Sequence, residues 1–253
     1  MMPVLFIGHG SPMNAIEDNE FTENWKKIAS QIPKPKSILV VSAHWVTGKT
    51  SVSTLEQPKT IHDFYGFPKE LFDMEYRAKG ATETAVRTLE LLGVSAVKDN
   101  NWGLDHGAWS ILHVMYPNAD IPVFQVSING KATPHELFET GKKLKELRKE
   151  NVLIVGSGNV VHNLGMMDFS IINGSKWARD FDDFIQQNIE KRDFESILNY
   201  KNMGTMAALS VPTTEHLNPL FYVLGATEST DELQVYNKAY YAGGLSMTCY
   251  VFS

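Results

Sequence analysis

A single cysteine, Cys249, leaves this chain of 253 residues no partner for an intrachain disulfide. That suits a reducing compartment, and a cytoplasmic location is expected. No apolar run reaches the ~18 residues that a membrane-spanning helix needs, so no membrane partner is expected. The opening MMPVLFIGHGSP lacks the basic start and long apolar stretch of a secretory signal. Positive charge is in deficit, with Lys+Arg 23 against Asp+Glu 29 and a net charge of −6, so nucleic acid is not expected as a partner. No Pro/Gly/Ser tract, charge block or internal repeat marks a linker. One domain over residues 1–253 is therefore expected, long enough to bury a substantial core.

Familiar catalytic signatures are missing too. There is no HExxH helix for zinc. Ser157 is not in a G-x-S-x-G elbow, so a serine-hydrolase reading has no support. Gly156-Ser157-Gly158 lacks the third glycine of a dinucleotide fingerprint. Cys249 lies in an apolar closing stretch and reads as a small core residue.

What is present is a set of short apolar runs, each with a histidine near its exit. SILVVSAHW (Ser37–Trp45) is a buried strand of an α/β sheet ending on His44. Pro3–Ile7 is a first strand, and the turn Gly8-His9-Gly10-Ser11-Pro12 follows it. Val152–Val155 is another, followed by the turn Gly156-Ser157-Gly158 and then by His162. In open α/β sheets ligands bind at the carboxyl ends of the strands, so these histidines are placed to face one site.

The rest of the chain alternates. Helices are expected over Glu20–Gln31, Thr82–Leu92, Ser175–Gln187, Phe194–Tyr200 and Leu217–Leu224. Another is expected over Thr133–Lys149, with Thr133 as N-cap, Pro134 at its first position and Glu136 completing a capping box. Further strands are expected at Lys49–Thr54, Val94–Val97, Ile121–Ser127, Gln234–Asn237 and Ser246–Phe252. Thr60–Met74 reads as a long loop near the site, and Asn101–His113 as a loop entering a helix at about Gly107. The fold expected is α/β, a single domain with a central, mostly parallel sheet flanked by helices.

Of the eight histidines, His135 reads as a solvated residue in a first helical turn and His113 as core or support. His9, His44 and His162 follow strands, and His216 lies in a loop before a helix. Any one of them alone is most simply structural. Together they suggest a metal site, since imidazole suits Zn, Fe and Cu and separated ligands converge at strand ends. Glu215 and His216 are adjacent, so one of the two faces the metal. Glu215 would make a two-His-one-carboxylate set, the non-haem Fe(II) arrangement; His216 would make a site of three or four imidazoles. Asp105 is placed to orient an imidazole, and Trp45, Phe64, Tyr65, Phe67, Trp102 and Trp109 could wall a pocket for a planar ligand.

Five motifs then carry a family resemblance. GHGSP, SAHW, GLDHGAW, GSGNVVHN and PTTEHLNPL occur in this order from the first strand onward. Together they resemble the class III extradiol ring-cleaving dioxygenases, in the 4,5-DOPA dioxygenase branch, over nearly the whole chain. The resemblance implies a single α/β catalytic domain. It places His9, His44 and His216 on metal-ligand positions, the last where relatives outside the branch carry Glu. It places His162 on the catalytic base, which in some members is a fourth ligand, and His106 on a histidine that helps bind substrate or oxygen. The implied substrates are a catechol, a DOPA-like 3,4-dihydroxyphenyl compound, and O2. Both oxygen atoms enter the ring beside the diol, giving a muconic semialdehyde. Fe(II) is implied for activity. An imidazole-rich site also suits Zn(II), which has no accessible redox change.

Other readings remain beside this one. Tetrapyrrole metal chelatases share the short Gly-His-Gly-Ser turn but do not need the histidines of SAHW and GSGNVVHN. A zinc-binding relative without turnover would keep the ligands and lose the oxygen chemistry. A hydrolase using zinc-bound hydroxide would act without O2. Monomer and small homo-oligomer are both compatible with the sequence.

Overall fold

Strands without a polar face need cover on both sides, and this chain has several. β1 (Val4–Gly8), β2 (Ser37–Ser42), β3 (Val123–Gln125) and β4 (Val152–Gly158) are buried at every position. The computed structural model describes residues 1–253. It places these strands in one six-stranded sheet with β5 (Leu233–Tyr236) and β6 (Cys249–Phe252), in the order β3-β2-β4-β1-β6-β5. The first four are mutually parallel, and β6 and β5 close the edge antiparallel. The mostly parallel α/β sheet expected from the sequence is thus observed.

Alternate side chains supply two cores. Val4, Phe6, Leu39, Val41 and Ile154 point to one face, under α2 (Thr82–Leu92), α4 (Pro134–Leu144), α5 (Lys176–Glu190) and α6 (Asn218–Gly225). Leu5, Ile7, Ile38, Val40, Leu153 and Val155 point to the other, under α1 (Glu20–Gln31) and α3 (His106–Met115). A two-residue period on the strands thus generates three layers. No helix is long and apolar enough to cross a membrane.

Local chemistry fixes the helix ends. Asn19 and Thr22 form a capping box at the start of α1, and Thr133 and Glu136 form one at the start of α4, with Pro134 at its first position. Other boundaries depart from expectation. Gly156, Ser157 and Gly158 are not a turn: they extend β4, pairing with Phe6, Ile7 and Gly8 of β1. The expected Thr133–Lys149 helix breaks at Lys145 into α4 and a short turn of helix, Glu146–Lys149. The strand expected at Val94–Val97 begins at Ala96, after a 3-10 turn, and pairs with Thr50–Val52 outside the central sheet. The loop Thr60–Met74 contains a short helix, Lys69–Asp73, and Thr205–Ser210 is a helix that the apolar pattern did not signal.

Candidate metal centre

The carboxyl ends of β1, β2 and β4 meet at one place, and the histidines follow from that. His9 is the residue after β1. His44 is two residues after β2, and His162 four after β4. His106 is the first residue of α3, one position earlier than the sequence suggested. His216 sits just before α6, and its carbonyl accepts from the Asn159 backbone N–H at 2.9 Å, which ties it to the end of β4.

Glycine allows these close approaches. A Cβ on Gly158 would stand 2.1 Å from the His216 carbonyl oxygen. A Cβ on Gly107 would stand 2.5 Å from Ser42 Oγ and 2.9 Å from a ring carbon of His44. Only a missing side chain lets α3 start against the sheet and deliver His106.

The imidazoles form a continuous cluster. Ring centroids are 5.1 Å apart for His9 and His44, 3.9 Å for His44 and His106, and 5.3 Å for His9 and His216. His162 lies flat on His216, with centroids 3.4 Å apart and planes within 5°. Two donor groups converge most closely. Ligand atoms of His9, His44 and His106 lie within 4.8 Å of one another, and so do those of His162, Glu215 and His216. Between Glu215 and His216, it is the His216 ring that packs against His9 and His44. Glu215 Oε1 accepts from Thr213 Oγ1 at 2.6 Å and lies 3.3 Å from His216 Nδ1, behind that ring.

Partners behind the rings orient them. His9 Nδ1 is 3.0 Å from Ser157 Oγ. His44 Nδ1 is 3.3 Å from Asp63 Oδ2, and His106 Nδ1 is 3.0 Å from the same oxygen. The His106 contact is an ion-pair distance without hydrogen-bond alignment. Asp63 Oδ1 accepts the His106 backbone N–H at 2.8 Å. Burial works against the Asp63 carboxylate, but hydrogen bonding and charge from His106 hold its pKa below the usual value. Carboxylates that grip the rear nitrogen of an imidazole are the usual support of metal-binding histidines.

Burial also keeps the rings of His9, His44, His162 and His216 neutral. It holds His9 and His216 well below the ordinary histidine pKa, with each other's neighbourhood of rings adding to the effect. Burial, then the proximity of His106, lowers His44 to about 3. Burial lowers His162 to about 4. These four rings therefore present lone pairs at neutral pH, which is what a metal ligand must offer.

The donor geometry fits a small cation. His9 Nε2 and His44 Nε2 face each other at 3.2 Å. Two nitrogens bound to one zinc in tetrahedral geometry would stand about 3.3 Å apart, from Zn–N distances near 2.0–2.1 Å. The Nδ1 atoms of His9 and His44 face Ser157 and Asp63, so with each proton carried on Nδ1 the two Nε2 lone pairs would share one cation.

Every site histidine drawn from the sequence (His9, His44, His106, His162 and His216) is in this cluster. His113, half-buried on α3, and His135, exposed beside Glu195, are not. Asp105 does not orient an imidazole: it caps α3 and accepts from Ser42 Oγ at 2.6 Å and Trp102 Nε1 at 3.0 Å. Asp63 takes the orienting role. Its only signal was a position in the aromatic loop Thr60–Met74, beside His62, whose ring instead bonds the Met74 carbonyl. Of the aromatic candidates, Phe64 meets His106 edge-on at 5.6 Å, whereas Tyr65 is 91% exposed.

Comparison with known proteins gives the family and supports the fold. Residues 3–253 match the family described as the catalytic LigB subunit of aromatic ring-opening dioxygenase. The chain is 43% identical over 255 residues to the 4,5-DOPA dioxygenase extradiol of Escherichia coli K12, covering 97% of this chain and 93% of that protein. It is 37% identical to the protein of the same name from Beta vulgaris, covering 98% and 95%. A crystal structure of an uncharacterized protein from E. coli K12 superposes with a TM-score of 0.86 at 37% identity, over 100% of both chains.

Proposed function

This chain belongs to the family of the catalytic LigB subunit of aromatic ring-opening dioxygenases, and we propose that it cleaves a catechol in the extradiol manner. The substrate in this reading is a DOPA-like 3,4-dihydroxyphenyl compound. Both atoms of O2 enter the ring, which opens beside the diol to a muconic semialdehyde. The observation that carries the reading is the convergence of histidines from five separate segments at the carboxyl ends of β1, β2 and β4.

His9, His44 and His216 are the proposed ligands, with His162 stacked beside them. A bound Fe(II) would supply the redox chemistry that lets O2 react with the ring; Zn(II) would fit the same donors without that chemistry. The tight group of His9, His44 and His106 supports a second ligand set, in which His106 takes the place of His216.

The chain's own residues bind and move protons. His162 is neutral at pH 7 and only partly covered, so its ring nitrogen is available to take a catechol hydroxyl proton as general base. His106, with Asp63 3.0 Å from its ring nitrogen and bonded to its backbone N–H, is the proposed holder of a substrate or oxygen atom. Phe64, edge-on to His106 and packed on Phe67 and Phe72, offers an apolar wall for an aromatic ring.

The test is anaerobic reconstitution with Fe(II), addition of DOPA and air, and measurement of O2 uptake and of a yellow semialdehyde absorbance. A zinc-loaded sample runs beside it. Uptake with yellow product in iron alone is expected. No uptake at full iron occupancy with a panel of catechols would sink the reading.

A further inference from the structure

Ser157 is fully buried in β4, in register with Ile7 of β1 on one side and Ser42 of β2 on the other. That places its hydroxyl at the strand ends, between the start of α3 and the ring of His9. The hydroxyl has one proton and two neighbours. The Gly107 carbonyl can only accept, and Ser157 Oγ lies within hydrogen-bonding distance of it, so the proton goes there. His9 Nδ1, 3.0 Å away on the same oxygen, then meets lone pairs and must be the donor. The proton of the neutral imidazole is thereby placed on Nδ1, and Nε2 is left bare, 3.2 Å from His44 Nε2.

We propose that Ser157 is a positioning residue: by relaying the Gly107 carbonyl to His9, it fixes the tautomer and ring orientation that make His9 Nε2 a ligand. The proposal rests on the reading of His9 as a metal ligand. Behind His44 Nδ1 stands a charged group, Asp63, at 3.3 Å; behind His9 stands a neutral one, Ser157, whose direction is set by a backbone carbonyl. Without the hydroxyl, His9 is free to carry its proton on Nε2, where it blocks the metal. The ring is also free to rotate.

Two measurements test this. In metal-free wild-type protein with 15N-labelled histidine, long-range 1H–15N spectra should show His9 protonated at Nδ1 and bare at Nε2. His9→Gln assigns the signal. A His9 proton on Nε2 overturns the proposal. Zn(II) affinity, read by competition with a chromophoric chelator, should fall about 10–100-fold in Ser157→Ala, the size typical of lost support behind a ligand. The stoichiometry should be unchanged, and Ser157→Thr, which keeps the hydroxyl, should recover affinity. Wild-type affinity in a folded Ser157→Ala protein overturns the proposal alone. Failure of the wild type to bind Zn(II) overturns the metal reading and the proposal with it. Where Ser157→Ala does not fold, the wild-type spectrum decides.

Discussion

His162 and His216 lie face to face, with ring centroids 3.4 Å apart and planes within 5°. Two imidazolium ions would repel strongly at that separation, so the stack requires that at most one ring be charged. Burial keeps both neutral. The more exposed ring is the one that can meet a substrate proton, and that ring is His162.

His162→Ala should therefore lose turnover by about 100–10,000-fold, the usual worth of a placed general base, while Zn(II) affinity stays within a few-fold. Parallel titrations of activity and chelator-competed metal binding check this. Retained turnover would remove His162 from the base role, and a matching fall in affinity would make it a ligand.

His44→Ala should weaken metal binding by more than the roughly 100-fold ceiling typical of supporting residues, because it deletes a donor itself. Calorimetric titration of the folded variant with Zn(II) is the measurement. An affinity near that of wild type would shift the centre onto the remaining histidines.

Asp63→Asn keeps the shape but removes the charge behind His44 and His106. A loss of about 10–100-fold in metal affinity is expected. The readout is competition against a chelator of known affinity, with the iron-loaded rate measured on the same sample. An unchanged affinity would reduce Asp63 to a loop-pinning residue.

Gly158→Ala forces a methyl group to 2.1 Å from the His216 carbonyl oxygen. The backbone must move, at a cost of about 1–3 kcal/mol or more in urea unfolding. Metal affinity should fall with it, because the same shift displaces His216. A variant as stable as wild type would show that the strand end yields more easily than its packing implies.

Metal-free protein should lose stability on acidification. His44 and His162 are lowered to about 3 and about 4 when folded, against an unfolded value near 6.5. Between these values the unfolded chain binds more protons than the folded one, so stability rises with pH. It should be fully present above about pH 6.5, fall as the pH drops, and level off below the folded values. Thermal midpoints from pH 4.5 to 7.5 would show the slope; a flat profile would contradict the neutral, buried state of the cluster.

The apolar runs Val4–Ile7, Ile38–Val41 and Val152–Val155, with no polar face, sufficed to specify parallel strands covered on both sides. Histidines just beyond those strand ends were legible for the same reason: chain connectivity carries them to the sheet's carboxyl edge. The capping boxes of α1 and α4 are equally local, made from residues three apart.

Contacts between distant segments had no such signature. Glycine and serine at 156–158 suggest a turn by local preference, and pairing with β1 and β2 overrides it. Asp105, beside His106, was the natural carboxylate from sequence, but the Ala108 backbone N–H in the first turn of α3, Ser42 and Trp102 claim it. Asp63, 43 residues away from His106, stands behind the ring instead and accepts the His106 backbone N–H. The sequence determined which residue types reach the strand ends and, through periodicity, the sheet that gathers them. Only the tertiary structure decided which donors face each other and which groups stand behind them, because those choices depend on ångström-scale distances between segments joined by packing, not by neighbouring positions in the chain.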